Sequence, residues 1–189
     1  DDFDDEDDYD DEDEDDYDDE DEDVWIDESI VVDGKEITID LAGYTVTAAF
    51  DARITEVVLA KNATKLTITG NGSMIASESE NTEYVEVISA IDGAIVVIEN
   101  GNFVSDGCTA IYATRGAVIT IKGGYYEAKS LYNGMKFLLD INEAEAVLGQ
   151  IKVCGGSFYD FDPSNHNNDG AANSNKLTEG LHAIKNADN

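Results

Sequence analysis

Asp160 and Asp162 stand two residues apart in Phe158-Tyr159-Asp160-Phe161-Asp162-Pro163, a spacing that puts both carboxylates on one face of a strand. A glycosidase needs two carboxylates roughly 5 to 10 Å apart, one to protonate the leaving oxygen and one to activate water or attack. Asp162 precedes Pro163, where a carboxylate more naturally caps a turn, and no supporting cleft is legible. No catalytic residue is therefore assigned. A lyase would want a basic residue to take a proton beside carboxylates that hold a cation. Arg53 and Arg115, the two arginines, stand in no cluster with Asp or Glu at stacked positions and read as surface charges.

Asn165-His166-Asn167-Asn168-Asp169-Gly170 copies the start of a calcium loop, with oxygen side chains at alternate positions and a sixth-position Gly. Its first residue brings no charge, and its twelfth is Lys176 where a bidentate Glu is needed, so it reads as a flexible polar loop. His166 and His182 have no His or Cys partner at ligand spacing; neither a metal nor a cofactor is expected. The Gly-Gly pairs precede strands rather than helices, which removes a phosphate loop, and there is no serine elbow. Asn62-Ala63-Thr64 and Asn71-Gly72-Ser73 match the glycosylation sequon, which matters only in a eukaryotic secretory context. Tyr112, Tyr125, Tyr126, Tyr132 and Tyr159 offer flat apolar faces with a polar tip. They suit a sugar- or protein-binding stripe, although packing explains them nearly as well.

Charge narrows the partners. The 189 residues carry a formal net charge of −32, from 43 acids against 11 bases, and the surplus is uneven. Residues 1–23 hold 20 acids and no base. Such a tract has too little to bury to offset its ordering entropy and reads as a solvated tail. A second reading is a docking arm, in which Phe3, Tyr9 and Tyr17 enter apolar pockets on a basic partner. A third is loose divalent-cation binding, weak without a Gly to shape a loop. Nucleic acid is excluded as a partner for want of a basic surface. An anionic membrane surface would repel the chain, and no apolar run approaches the roughly 20 residues of a membrane span. Cys108 and Cys154 do not make a disulfide framework and read as buried small apolar residues.

The elements that must position these residues are strands. Residues 24–163 are rich in Val, Ile, Thr and Tyr, and the chain has 16 Gly and one Pro. Five segments share one plan of alternating apolar residues, a Gly-containing turn and a large apolar residue: 37–43, 66–74, 96–103, 118–126 and 151–158. Aligned on Gly43, Gly72, Gly101, Gly124 and Gly156, the large residue falls two places later as Met74, Phe103, Tyr126 and Phe158, with Thr45 in the first copy. This period suits one turn of a solenoid, whose coils must stack at strand spacing to cover their apolar faces. The large residues should point inward and stack. Tyr84–Ile88, Ala110–Ala113 and Phe137–Ile141 read as a second sheet. A β-sandwich would pair hairpins instead; apart from Asp92-Gly93, two-residue hairpin turns between clear strands are missing. Val57-Val58-Leu59 reads as a buried strand, Glu143–Leu148 as a short helical turn and Leu177–Ile184 as the start of a strand. The polar segment 164–189 ends without a Gly or Pro stop and is expected to continue beyond Asn189.

Lys122-Gly123-Gly124-Tyr125-Tyr126 and Val153-Cys154-Gly155-Gly156-Ser157-Phe158-Tyr159-Asp160-Phe161-Asp162-Pro163-Ser164-Asn165 resemble coil phrases of pectate-lyase-like right-handed parallel β-helices. The likeness is to those of bacteriophage head and tail fibres and of gut-bacterial surface adhesins. Ile39–Val46 is similar to the first-coil phrase of the same group, and the resemblance covers about residues 30–180. It implies an all-β chain, a short right-handed parallel β-helix of about five coils. The expected organisation is an acidic tail or docking arm (1–23), a β-helix domain (24–163) and the C-terminal segment. The expected function is a non-enzymatic virion structural protein, a phage fibre or capsid-decoration (head fibre) subunit. Its implied partners are other virion proteins, two further copies in a homotrimer, and a host-surface glycan or protein. A bacterial surface adhesin is the first alternative and a polysaccharide lyase or hydrolase the second.

Overall fold

A computed structural model describes residues 23–49, 53–79, 84–142, 144–168, 171–174 and 176–186. Phe3, Tyr9 and Tyr17 lie outside the described residues. Strand β1 (Val24–Ile26) precedes five levels of three strands. The first level holds β2 (Ile30–Asp33), β3 (Glu36–Asp40) and β4 (Thr45–Ala48), and the second β5 (Ile54–Lys61), β6 (Lys65–Thr69) and β7 (Ser73–Ala76). The third holds β8 (Tyr84–Ala90), β9 (Ile95–Ile98) and β10 (Asn102–Ser105), and the fourth β11 (Ile111–Ala113), β12 (Val118–Ile121) and β13 (Tyr125–Ala128). The fifth holds β14 (Leu139–Ile141), β15 (Gln150–Val153) and β16 (Ser157–Phe158). A small antiparallel pair follows, β17 (His166–Asn168) and β18 (Ala171–Ser174).

Each strand pairs in parallel with its counterpart one level away, which builds three sheets. The first sheet runs β1-β4-β7-β10-β13-β16, the second β14-β11-β8-β5-β2 and the third β15-β12-β9-β6-β3. The chain is thus a parallel β-solenoid of about four turns. The strands expected as one second sheet are one of three: each repeated segment is a third-sheet strand, a corner and a first-sheet strand.

The core is a set of inward columns. In the first sheet Val46, Met74, Phe103, Tyr126 and Phe158 are in register, so Val46 and not Thr45 is the first copy's inward residue. The Phe103, Tyr126 and Phe158 rings stack at centroid spacings of 5.1 Å, tilted by 14° and 15°. That spacing is set by the backbone ladder, so six-membered aromatic rings repeat comfortably along the axis. The next column, Ala48, Ala76, Ser105 and Ala128, is small and leaves room for the rings. The third sheet contributes Ile39, Ile68, Ile98, Ile121 and Val153.

Asp92-Gly93 is no hairpin. It is one of three stacked corners between the second and third sheets, with Asn62-Ala63 below and Arg115-Gly116 above, all at positive φ. In each the fourth residue's amide donates to the first residue's carbonyl, as in a type I′ turn: Thr64 to Lys61, Ala94 to Ile91 and Ala117 to Thr114. A two-residue hairpin turn does occur, at Asn133-Gly134, where Tyr132 and Met135 exchange both backbone bonds at 2.9 Å. It lies in the connection to the fifth level, so it leaves the parallel stack intact.

Other expectations are corrected locally. No helix is found among the described residues; 144–147 form turns and bends, and Leu148 bridges Thr114. Leu177 makes only a single bridge to Val153, and Leu181, His182 and Ile184 are exposed coil. Leu59 points outward and is half-buried, unlike Val57 and Val58. Cys154 is exposed and Cys108 only half-buried. Asn165–Asn168 are a bend and strand β17 rather than a polar loop; Asp169 and Gly170 lie outside the described residues.

Candidate functional site

The outer face of the second sheet carries a recessed polar surface. Its strands break the alternation at one point, where two successive residues both face inward: Val57-Val58, Val87-Ile88, Ala110-Ile111 and Leu138-Leu139, all fully buried. The amides of Val87 and Ile88 both donate to the Ala110 carbonyl, and those of Ala110 and Ile111 both to Leu138. Two donors on one acceptor is the signature of a bulge, and stacked bulges bend the whole sheet. Outward residues on either side of the bend are then three apart, not two, and they converge: Ser89 Oγ donates to Glu86 Oε2.

A groove of about 720 Å³ lies over this bend. Its floor is the outward column Leu59, Ser89, Tyr112 and Asp140, with Glu56 and Glu86 in register beside it. The loop with the Asn133-Gly134 turn forms one wall, through Leu131, Tyr132 and Phe137. Cys108, Thr109 and Thr114 line it further along.

Electrostatics follow from this enclosure. Burial, reinforced by the Glu56 and Asp140 carboxylates, pushes Glu86 up to about 8 against the opposing Ser89 hydrogen bond. Burial also raises Glu56. It raises the Cys108 thiol and the Tyr112 phenol, the latter against an opposing bond to Asn142. Glu86 is therefore protonated at neutral pH and can donate a hydrogen bond as well as accept one.

The residues singled out from sequence do not form one stripe. Tyr126 is 0% exposed, its hydroxyl donating to the Gly123 carbonyl at 2.8 Å, so it is core and offers no surface contact. Tyr125 is half-buried on the outer face of the first sheet and donates to Glu127 Oε2 at 2.8 Å. Burial first, then that carboxylate, pushes its phenol up to about 12. Tyr159 is exposed on the same face, with Lys136 Nζ 5.7 Å from its ring centroid. Tyr112 and Tyr132 belong to the groove; Tyr132 is 61% exposed at its rim.

Asp162 caps its turn, accepting from the Ser164 amide at 2.9 Å and hydroxyl at 2.6 Å. Asp160 is exposed and paired with Lys136 at 3.5 Å. Arg115, expected to stand alone, donates to Asp92 Oδ1 at 2.7 Å and lies 3.8 Å from Glu145. Among the described residues it is one of three cation–carboxylate ties between the third and fourth levels, with Lys122–Glu99 and Lys129–Asp106 at 2.8 Å. Glu56, Glu86 and Asp140 were missed because each sits in a different level and only stacking joins them. The legible signal was a carboxylate followed by two apolar residues, Glu56-Val57-Val58 and Glu86-Val87-Ile88. No protein-family profile, curated protein or solved structure matches the chain.

Proposed function

We propose that the chain is a non-enzymatic structural protein of a virion, a phage fibre or capsid-decoration (head fibre) subunit that mediates assembly and host-surface attachment. The observation that carries this is the asymmetry of the solenoid's two ends. At the far end Phe161 tilts over Phe158 at 6.5 Å, and Leu177 extends the third sheet beside Val153. At the near end β1, β2 and β3 are edge strands, and the inward-column residues Val24 and Ile37 are exposed, as is Trp25 at 70%. Unpaired edges with exposed apolar side chains favour association with another chain. A homotrimer joined through this end meets that need, and Tyr125, Tyr132 and Tyr159 remain outside for host contacts. The resemblance of the coil phrases to those of phage fibres supports the same reading. Analytical ultracentrifugation of the full chain at micromolar concentration tests it: a trimer is expected, and a monomer overturns the assembly role. Recovery of the chain in a cell-wall fraction instead of particles would make the same solenoid an adhesin.

A second reading, a polysaccharide hydrolase, draws on the Glu56–Glu86 pair in the groove, where a protonated and an ionisable carboxyl lie on adjacent strands. Polysaccharide turnover abolished by Glu86→Gln would establish it; turnover unchanged by that substitution would remove it.

A further inference from the structure

The chain begins a sixth coil and then leaves the stack. In the third, fourth and fifth levels a corner glycine at positive φ stands three places after the last inward residue of the third-sheet strand. The pairs are Ile98 and Gly101, Ile121 and Gly124, and Val153 and Gly156. Leu177, which pairs in parallel with Val153, is followed three places later by Gly180, with φ 85°. By the same plan the next residue enters the first sheet. The amides of Asn102, Tyr125 and Ser157 do so, donating to the carbonyls of Gly72, Gly101 and Gly124. The Leu181 amide turns back to the Thr178 carbonyl instead, at 3.1 Å, and the place over Phe158 is taken by the Phe161 ring. Residues 181–186 are exposed throughout, Ile184 at 85%, and the amides of 182–186 donate to no backbone carbonyl among the described residues. The near end is the complement of this segment. Among the described residues β1 pairs only with β4, so its other edge is open beside Val24 and Trp25. Asp27, Glu28 and Asp33 follow, and the first base of the chain is Lys35. Residues 180–187 hold Lys185 and no acid. Charge therefore favours this segment on a near end and opposes one near end on another.

We propose, building on the assembly role read from the near end, that residues 182–185 of one copy add as a strand to β1 of a second copy. The strand runs parallel to β1, as in all three sheets. Pairing His182 with Val24 puts Ile184 on Ile26 in the inward column, Ala183 beside Trp25 and Lys185 beside Asp27. The segment cannot reach its own β1. Five strand steps of about 4.8 Å separate β16 from β1 in the first sheet, whereas only Leu181 lies between the Gly180 corner and the pairing residues. The joint is thus head to tail, and three such joints closing a ring give the homotrimer.

The test is sedimentation velocity of the full chain at micromolar concentration, beside Ile184→Asp. That side chain is almost wholly exposed, so the substitution should leave thermal unfolding of the dilute protomer unchanged. Wild type should be trimeric, and Ile184→Asp should weaken association roughly tenfold or more. Lys185→Asp should weaken it by a few-fold, and adding Asp27→Lys to that variant should restore it. Cross-linking fixes the place of the joint. Copies with Asp27→Cys and copies with Lys185→Cys, both in a Cys108→Ser, Cys154→Ser background, should form a disulfide-linked pair when mixed and oxidised. Neither population should link alone. A trimer that Ile184→Asp leaves intact, or mixed copies that fail to link, overturns this joint and leaves the trimer standing. A monomeric wild type overturns both.

Discussion

Glu86 and Glu56 are register partners on adjacent parallel strands of the second sheet, two carboxyl groups brought together at the bend by strand pairing alone. The unfolded chain loses the Glu86 proton near the ordinary 4.5, whereas the folded chain keeps it to about 8. Between those values the unfolded state binds fewer protons, so stability falls as pH rises, and it levels off above 8. Glu86→Gln removes this slope. It should leave stability near pH 4 unchanged and raise it by about 2–4 kcal/mol at pH 8 and above. Urea denaturation across this pH range measures both ends.

Tyr126 sits between two rings in the inward column, and its two contributions are separable. Tyr126→Ala leaves a ring-sized gap between Phe103 and Phe158 and should cost about 3–5 kcal/mol. Tyr126→Phe keeps both stacking contacts and loses only the bond to the Gly123 carbonyl, for about 1 kcal/mol. Thermal denaturation of both variants should give this order; equal losses would mean that the hydroxyl, not the ring, matters.

Gly124 and Gly93 both have positive φ, but their surroundings differ. A Cβ at Gly124 would lie 2.6 Å from the Gly101 carbonyl oxygen, whereas one at Gly93 meets nothing within 4 Å. Gly93→Ala should cost about 1 kcal/mol, for backbone conformation alone. Gly124→Ala forces two coils apart and should cost clearly more, about 3 kcal/mol or above. Chemical denaturation of the pair separates strain from crowding.

Trp25 is the one tryptophan of the chain and lies at the open end. If that end associates, its fluorescence should shift to the blue with rising protein concentration and return to the red on dilution. Trp25→Ser should move the sedimentation profile toward monomer at equal concentration. Emission that does not change over the range in which the mass changes would place the interface elsewhere.

The third-sheet and first-sheet strands were legible because their side chains strictly alternate. A run such as Val118-Ile119-Thr120-Ile121 can satisfy one buried face only as a strand, and the Gly after it can only be a corner. The second sheet was less legible because its bulge puts Val87 and Ile88 on the same side, which breaks the period of two. Cys154 was misread because a small apolar residue carries no sign of facing; it follows β15, where the chain leaves the sheet.

Sequence alone determined that this chain is built of short strands with one apolar face each, and five spaced copies of one pattern favoured stacking them as coils over pairing them as a sandwich. The acidic bias, too, is a matter of counting. Tertiary structure decided which polar residues meet. Glu56, Glu86 and Asp140 are 30 and 54 residues apart along the chain, and their meeting depends on steps of unequal length between levels. Tyr112 and Tyr126 are the same residue type in neighbouring strands of one level, yet one lines a groove and the other is core. Strand register assigns each its face, and register is set by the ladder of neighbouring coils rather than by any residue's own chemistry.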